Sequence, residues 1–315
     1  MGGGPTIADG AKALRWRTRR VLRSVLPKPV KQGIKHGIAG AARPTHRFRL
    51  LPDVLIIGAK RAGTTSMFRY LMEHPAFSAP LLGKGVHYFD WYFDKGFDWY
   101  QGHFPTKLYG EYVRRRTGAD LVVGEGSPYY LFHPHAPYRI AESLPNARLI
   151  VMLRDPVARA YSHHQYEVAW GHEELAFEEA IEREPERLEG ELQRMLDEPL
   201  YNSYPHLYHS YLARGRYAEQ LRVWLSLFPR EQLLILESEK FYENPQQVFD
   251  QVLEFVGLPA FTLTSREQHN ACRYPDLDDD VRRRLEGYYA EPNERLFELL
   301  GMEFGWHRAL EPSPA

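Results

Sequence analysis

The sequence predicts an α/β fold in which a central parallel sheet is flanked by helices. Two observations predict it: short, almost wholly apolar runs recur along the 315 residues, and segments with helical periodicity separate them. Strands that alternate with helices form a parallel sheet. The length suits one large domain with an ample hydrophobic core, and no internal repeat appears after residue 50.

The four predicted strands are runs that are too apolar to face solvent on either side. They cover residues 53–58, 121–125, 148–153 and 232–237. The segments with helical periodicity cover residues 64–73, 136–143, 156–170, 204–213, 217–228, 245–256 and 279–300. In open sheets of this kind ligands bind at the carboxyl ends of the strands, so we look there for a site.

The charge of the chain is strongly segregated, although the net charge is only −1. Residues 1–49 contain twelve Lys and Arg against the single acid Asp9. Apolar residues lie roughly on one helical face of this arm: Leu14, Val21, Leu22, Val25 and Leu26. A basic amphipathic helix can lie on an anionic membrane surface, and a solvated tail is the alternative. The body, predicted to span 51–307 before a short tail at 308–315, has no matching basic patch, so we predict no binding to nucleic acid.

The cysteine content favours a reducing compartment. Cys272 is the only cysteine, so the chain can form neither an internal disulfide nor a zinc site made of thiolates. No run approaches the ~18 apolar residues of a membrane span, and the amino terminus lacks the apolar core of a secretory signal. We therefore expect a cytoplasmic protein whose arm can contact the inner membrane surface. The histidines lack the spacing of metal ligands, and no metal site is predicted.

The segment Gly58-Ala-Lys-Arg-Ala-Gly-Thr-Thr-Ser66 leaves the first strand and enters a helix. Free backbone N–H groups at a helix start bind anions, so a phosphate is expected here, as in P-loop-like proteins. A Walker A loop has Lys directly after its second Gly, whereas here Thr64 holds that place and Lys60 lies earlier. Lys60 can stabilise charge on a leaving group. The other candidate binding residues are Arg61, Ala62, Gly63, Thr64, Thr65 and Ser66; helix capping by Thr64 is the structural alternative.

A second candidate anion site follows the strand at 148–153. Arg154 ends this strand, Pro156 starts a helix, and Ser162 lies eight residues past Arg154. A guanidinium and a hydroxyl can bind one phosphate together. The structural alternative is an Arg154–Asp155 pair beside an ordinary helical serine.

Together the two motifs resemble those of the sulfotransferases that use 3′-phosphoadenosine 5′-phosphosulfate (PAPS), and the likeness is closest to the heparan sulfate branch. The resemblance extends to residues 86–90, 99–105 and 288–300 and covers roughly 51–307. It implies transfer of a sulfuryl group to a hydroxyl or amine of a carbohydrate, glycolipid or similar acceptor, with release of PAP. It also implies that Arg154 and Ser162 hold the 3′-phosphate, and that Arg273 contributes from a later loop.

The chain departs from this family pattern at two positions. Gly85 stands where relatives place a glutamate general base, and Gly126 stands where a basic residue often faces the acceptor. His87 is therefore our first candidate for the base, because neutral imidazole titrates near physiological pH. Asp90 and Glu125 are the other candidates, and each can instead orient His87 or bind a sugar. A purely structural His87–Asp90 pair is the alternative.

Two other functions remain open at this stage. One is a non-catalytic scaffold that binds PAPS or PAP but has lost its base, and the other is a P-loop kinase. Aromatic rings between residues 87 and 138 can stack on sugar faces or pack in the core: Tyr88, Trp91, Tyr92, Trp99, Tyr100, Tyr129 and Tyr130. The sequence makes no prediction of the oligomeric state or of the acceptor.

Overall fold

The computed structural model describes Gly37 and residues 40–264 and 274–306. Most of the basic arm, the tail at 308–315 and the predicted donor-binding residue Arg273 lie outside these residues. Where the body begins and ends therefore stays a prediction. In the described part of the chain, no helix has the length and apolar character that crossing a membrane requires.

Five parallel strands form one sheet in the order β2-β3-β1-β4-β5. They are β1 (Val54–Gly58), β2 (Phe77–Ser78), β3 (Val122–Gly126), β4 (Arg148–Leu153) and β5 (Leu233–Glu237). The predicted fold class is confirmed, and four of the strands were predicted to within about two residues. The edge strand β2 was missed because two residues are too few to show a pattern.

The centre of the sheet is buried on both faces, as the apolar runs predicted. Every residue of β1 and β3 is buried, and in β4 only Arg148 at its start is exposed. Ile150 of β4 lies opposite Ile56 of β1 on one side and Leu234 of β5 on the other. Because all strands are parallel, the loops that follow β1, β3 and β4 meet at one edge of the sheet.

Helices cover the sheet. They are α1 (Thr64–Leu71), α2 (Phe97–Gln101), α3 (Lys107–Thr117), α4 (Ala136–Ser143), α5 (Pro156–Trp170), α6 (Phe177–Glu182), α7 (Glu184–Leu188), α8 (Glu191–Asp197), α9 (Tyr204–Tyr208), α10 (Tyr217–Leu227), α11 (Ser238–Glu243), α12 (Pro245–Val256) and α13 (Asp279–Leu300). Short 3₁₀ helices lie at Arg43–Phe48, Phe93–Lys95, Ala213–Gly215 and Arg230–Gln232. The predictions for α4, α5, α12 and α13 are confirmed at both ends.

The prediction of one helix over residues 204–213 was wrong. Helix α9 ends at Tyr208, and the chain forms a 3₁₀ turn only at Ala213–Gly215. Between them, backbone N–H groups of Leu212 and Ala213 donate to the buried Glu184 carboxylate instead of continuing a helix. The helices α2, α3, α6, α7, α8 and α11 were not predicted. Helices α3, α7 and α8 present few apolar residues to the core, and α2, α6 and α11 are too short to show a helical period.

Helix α5 packs in the smaller of two apolar clusters, and it carries several residues of the site described below. One cluster of apolar side chains surrounds the sheet, and a smaller one joins Val157 and Ala160 of α5 to Phe177 and Tyr289 of neighbouring helices. Asp155 caps the start of α5 by accepting a hydrogen bond from the backbone N–H of Ala158 at 2.9 Å. The helix is thus a fixed support.

We expect Ile150→Ala to lower the free energy of unfolding by about 2–5 kcal/mol, because it removes apolar volume from a strand paired on both sides. Ile150 is 0% exposed. Chemical denaturation measures the change. Leu192→Ala on α8, where the side chain is 51% exposed, is the control and should alter stability by no more than about 0.5 kcal/mol. Equal effects of the two variants would contradict this account of the core.

Candidate functional site

A cavity of about 420 Å³ opens at the carboxyl ends of the strands. Its wall includes the loop after β1, the segment after β3, helix α5 and the end of α9. Lys60, Arg61, Thr64, Thr65 and His87 all line it. The structure therefore brings four residues of the first predicted anion motif and the candidate base His87 to one cavity. Arg154 and Ser162 of the second motif do not line this cavity, and Ser162 is buried.

Lys60 places its ammonium at the cavity wall with its side chain 18% exposed. The Nζ atom donates to Oε1 of Glu167 at 2.6 Å and to the carbonyl of Leu207 at 3.5 Å. Loss of solvation and, to a smaller extent, the charge of Arg214 lower the pKa of Lys60 to about 7, although Glu167 acts in the opposite direction. Lys60 is thus a cation that an added anion would stabilise.

Arg61 joins the two predicted anion motifs. Its Nε atom donates to Oγ of Ser162 at 3.1 Å, and its own carbonyl accepts from Nη1 of Arg154 at 3.2 Å. The backbone of Arg154 is fixed in turn, because its carbonyl accepts from the hydroxyl of Tyr217 at 2.8 Å. Arg61, the neighbour of Lys60, therefore connects the turn after β1 to both residues of the second predicted motif.

The alternative of an Arg154–Asp155 structural pair is not what the structure contains. Asp155 caps α5 and accepts from Ala158, and no ion pair joins it to Arg154 among the described residues. Arg154 instead turns toward the loop after β1. Its guanidinium contacts the loop, and Ser162 contacts the same loop through Arg61.

The segment of residues 58–66, here called the glycine turn, passes close to Tyr242 at Gly63. Gly63 has φ +85°, and a Cβ atom there would lie 2.8 Å from the hydroxyl of Tyr242, so only glycine fits. Gly63 is the N-cap of α1 and no side chain caps the helix, so the alternative of capping by Thr64 was wrong. Ala62 is anchored because its carbonyl accepts from the hydroxyl of Ser238 at 2.7 Å.

The three hydroxyl residues of α1 are not equivalent. Thr64 and Thr65 line the cavity, and Oγ1 of Thr64 accepts a hydrogen bond from Nζ of Lys84 at 2.9 Å. Ser66 is fully buried, shares a hydrogen bond with Tyr242 and does not line the cavity. Its predicted contact with a ligand stays a prediction, and the structure gives it a supporting position.

His87 faces the loop after β1 across the cavity. Its Nδ1 donates to Oδ2 of Asp90 at 2.9 Å, and the other oxygen of Asp90 accepts from the backbone N–H of Trp91 at 2.7 Å. Burial alone lowers the pKa of His87, but the charge and hydrogen bond of Asp90 outweigh it and raise the pKa above its usual value. Asp90 thus orients the ring and leaves Nε2 as the nitrogen that can accept a proton.

Glu125 occupies a different position from the other two candidate bases. It is fully buried at the end of β3 and does not line the cavity. Its Oε1 accepts from the hydroxyl of Ser127 at 3.1 Å, and that hydroxyl also accepts from the backbone N–H of His87 at 3.3 Å. Burial raises the pKa of Glu125 to about 7. This geometry suits support of the His87 segment.

Two residues of the cavity have a backbone conformation that side chains disfavour. Among the described residues, only Arg61 and His87 have positive φ without being glycine, at 74° and 59°. Such conformations persist where the surrounding structure holds them, and they concentrate at functional sites. Here both residues line the same cavity.

Some of the aromatic residues singled out in the sequence are buried in the core, and the others line a cavity. Tyr88, Tyr100 and Tyr130 are buried in the core, where Tyr88 stacks on Tyr100 with ring centres 4.9 Å apart. Trp91 and Tyr129 line the main cavity. A second cavity of about 210 Å³ lies on the other side of His87, and its wall includes Trp91, Tyr92, Trp99 and His103. His87 and Trp91 are common to both cavities.

Sequence reasoning missed three residues of α5 that face the cavity. Glu167 binds Lys60, and the guanidinium of Arg61 lies 4.7 Å from the ring centre of Tyr166. Trp170 lines the cavity one turn further on. The available signal was helical spacing, since Tyr166 lies four residues after Ser162 and therefore on the same face. In the part of the chain that the structure covers, no group of three metal-binding side chains was found.

Comparison with known proteins finds sulfotransferases among the relatives of this chain. Membrane-associated sulfotransferase kil1 of Dictyostelium discoideum is 25% identical over 81% of this chain and 66% of its own length. Human heparan sulfate glucosamine 3-O-sulfotransferase 3B1 is 27% identical over 81% of this chain and 65% of its own length. The chain thus spans slightly less than two thirds of these relatives.

A solved structure, a sulfotransferase from Alicyclobacillus acidocaldarius, superposes with a TM-score of 0.62 at 28% identity. The match covers 82% of this chain and all of that one. The family model described as the sulfotransferase domain matches residues 51–277, which include the loop after β1, His87, Arg154 and the whole of α5. The chain belongs to the sulfotransferase family.

Proposed function

We propose that the protein transfers the sulfuryl group of PAPS to a hydroxyl or amine of a carbohydrate-like acceptor and releases PAP. The observation that carries this proposal is the position of Arg61, which contacts both Ser162 and Arg154. The donor has anionic groups at its 5′ and 3′ ends, and the structure offers two adjacent cationic groups. The 5′-phosphosulfate would lie on the glycine turn, and the 3′-phosphate on Arg154 and Ser162.

The transfer itself requires positioning and charge stabilisation. The acceptor oxygen or nitrogen attacks sulfur, a new bond to sulfur forms, and the bond from sulfur to the 5′-phosphate oxygen breaks. PAP leaves with that electron pair, and the ammonium of Lys60 stabilises the charge that grows on the bridging oxygen. The acceptor proton passes to Nε2 of His87, whose opposite nitrogen is held by Asp90.

The acceptor is proposed to be a glycan or a similar hydroxylated molecule. Tyr166, Trp170 and Tyr208 join Trp91 around the cavity, and such rings stack on sugar faces while their polar atoms bind hydroxyls. The names of the relatives, which include a heparan sulfate glucosamine 3-O-sulfotransferase, support the same class of acceptor. The His87–Asp90 pair at the cavity favours an enzyme over a scaffold without a base, and the family disfavours the kinase alternative.

We also propose a peripheral membrane contact through the basic arm. Its twelve cations suit an anionic lipid surface, and one relative is named a membrane-associated sulfotransferase. The cytoplasmic location expected from the single cysteine stays a prediction.

Lys60→Ala should reduce turnover by about two orders of magnitude or more, because it removes a cation from the leaving group in the transition state. Turnover is measured as transfer of labelled sulfate from PAPS to a panel of glycan acceptors. Lys107→Ala is the matched control, since Lys107 is exposed on α3, and it should retain full activity. Near-normal turnover of the Lys60 variant would refute the assigned role.

Arg154→Ala should weaken the binding of PAP about tenfold or more, because a charged hydrogen bond to the 3′-phosphate is lost. Binding of AMP, which lacks that phosphate, should hardly change. Calorimetry with both nucleotides measures the two affinities, and Arg222→Ala on the exposed face of α10 serves as the control. An equal loss for PAP and AMP would show that Arg154 does not bind the 3′-phosphate.

Asp90→Asn should move the acidic limb of the pH–rate profile to lower pH. A base works in its neutral form, so activity is lost as pH falls through the raised pKa of His87. Without the Asp90 charge, desolvation, which is the largest single cause, lowers that pKa; the smaller effects of Glu125 and Lys84 oppose each other. The profile of kcat/KM measures the shift, and His87→Ala should lose the limb and about 100-fold or more in rate. An unchanged limb in Asp90→Asn would move the role of base away from His87.

A further inference from the structure

Lys84 has no part in the donor site as the motifs define it, yet it contacts that site directly. Its Nζ atom donates to Oγ1 of Thr64 at 2.9 Å, although the two residues belong to separate segments. The backbone is fixed as well, because the carbonyl of Lys84 accepts from the N–H of Gly126 at 2.9 Å. The segment of Lys84 therefore lies along the carboxyl end of β3 with its side chain aimed at the glycine turn.

The two glycines that depart from the family pattern make this position possible. A Cβ atom at Gly126 would lie 2.4 Å from Cε of Lys84, in the space that the lysine side chain occupies. A Cβ atom at Gly85 would lie 2.6 Å from the carbonyl oxygen of Gly126 and from Oγ of Ser127. Gly85 and Gly126 are thus parts of one arrangement that lets the Lys84 segment pack closely and its ammonium reach Thr64.

The ammonium of Lys84 reaches a position at which Walker A loops have a phosphate-binding lysine of their own. Thr64 directly follows the second glycine of the turn, and in a Walker A loop this place belongs to the lysine that binds the terminal phosphates. Here that residue is threonine, and an ammonium arrives beside it from another segment. The loop therefore has two lysines, Lys60 from within the turn and Lys84 from outside it.

The surroundings of Lys84 suit an anion. Desolvation lowers its pKa to about 7, with a further contribution from the charge of Arg69. No carboxylate among the described residues lies within ion-pairing distance of its ammonium, whereas Lys60 is paired with Glu167. A cation that is partly desolvated without a counterion gains stability when an anion binds next to it.

We propose that Lys84 binds the 5′-phosphosulfate group of the donor together with Thr64, and that Gly126 keeps the space its side chain needs. The proposal rests on the proposed function, since it concerns the same donor.

The test compares two nucleotides, PAP and adenosine 3′-phosphate, of which only PAP has a 5′-phosphate. Lys84→Met keeps the apolar stem and removes the charge. We expect it to weaken the binding of PAP about ten- to hundredfold, because one charged hydrogen bond is lost. Binding of adenosine 3′-phosphate should stay within about twofold of the unmodified protein.

Gly126→Ala provides a second test in which the lysine stays in the chain. The added methyl group meets the flexible end of Lys84, so the side chain moves and the fold is retained. We expect the same selective loss of PAP affinity. Gly287→Ala on α13, where no atom lies within 4 Å of the added methyl group, is the matched control and should bind both nucleotides normally.

The affinities of the two variants for the two nucleotides decide whether Lys84 binds the 5′-phosphosulfate. A selective loss for PAP in both variants supports the proposal. Unchanged PAP binding in Lys84→Met, or an equal loss for both nucleotides, overturns it, because a structural role would not distinguish the two. If the unmodified protein binds neither nucleotide, the proposed function fails and this inference fails with it, a result that differs from the loss in a variant alone.

Discussion

The site depends on the contact between the turn after β1 and helix α5. In the sheet β1 and β4 are neighbours and parallel, so the segments that leave them emerge side by side. The side chain of Arg61 donates to Ser162 of α5, and the guanidinium of Arg154 donates to the backbone carbonyl of Arg61. A change in the register of either strand would separate the two groups, because a shift by one residue turns side chains to the opposite face.

The electrostatics of the cavity follow from this packing. Lys60 is brought against a buried carboxylate, Glu167, whose side chain is fully enclosed and which also lies 3.2 Å from the ring of His163. A buried ion pair is costly unless both partners are well satisfied. Here the pKa of Lys60 stays low in spite of its partner, because burial removes its solvation and the charges of Arg214 and Arg159 act in the same direction. The proposed donor, a doubly phosphorylated nucleotide, would complement this excess of positive charge.

The sequence predicts the fold well, because the strands rest on local signals: apolar runs identify β1, β3, β4 and β5. Glycine spacing likewise identifies the turn after β1, whose residues Lys60 and Arg61 line the cavity. What could not be predicted depends on contacts between distant segments. In the sequence, Glu167 cannot be told from the other polar residues of its helix, although its side chain binds Lys60. No feature of the neighbouring sequence indicates that Lys84 contacts Thr64, twenty residues away. The short strand β2 carries too few residues for any periodicity.

The segment from Lys84 to Asp90 shows why glycine stands at position 85, where the resemblance implies a glutamate. Close packing against β3 requires glycine at 85, so a carboxylate cannot occupy that position in this backbone. The chain then turns at His87 with φ 59°, and the carbonyl of His87 accepts from the N–H groups of Trp91 and Tyr92. Asp90, three residues on, lies within reach of the imidazole because of this turn. In the proposed reaction, the same backbone would bring the cation Lys84 toward the donor and the base His87 toward the acceptor. Since His87 lines both cavities, it stands where the two substrates would meet.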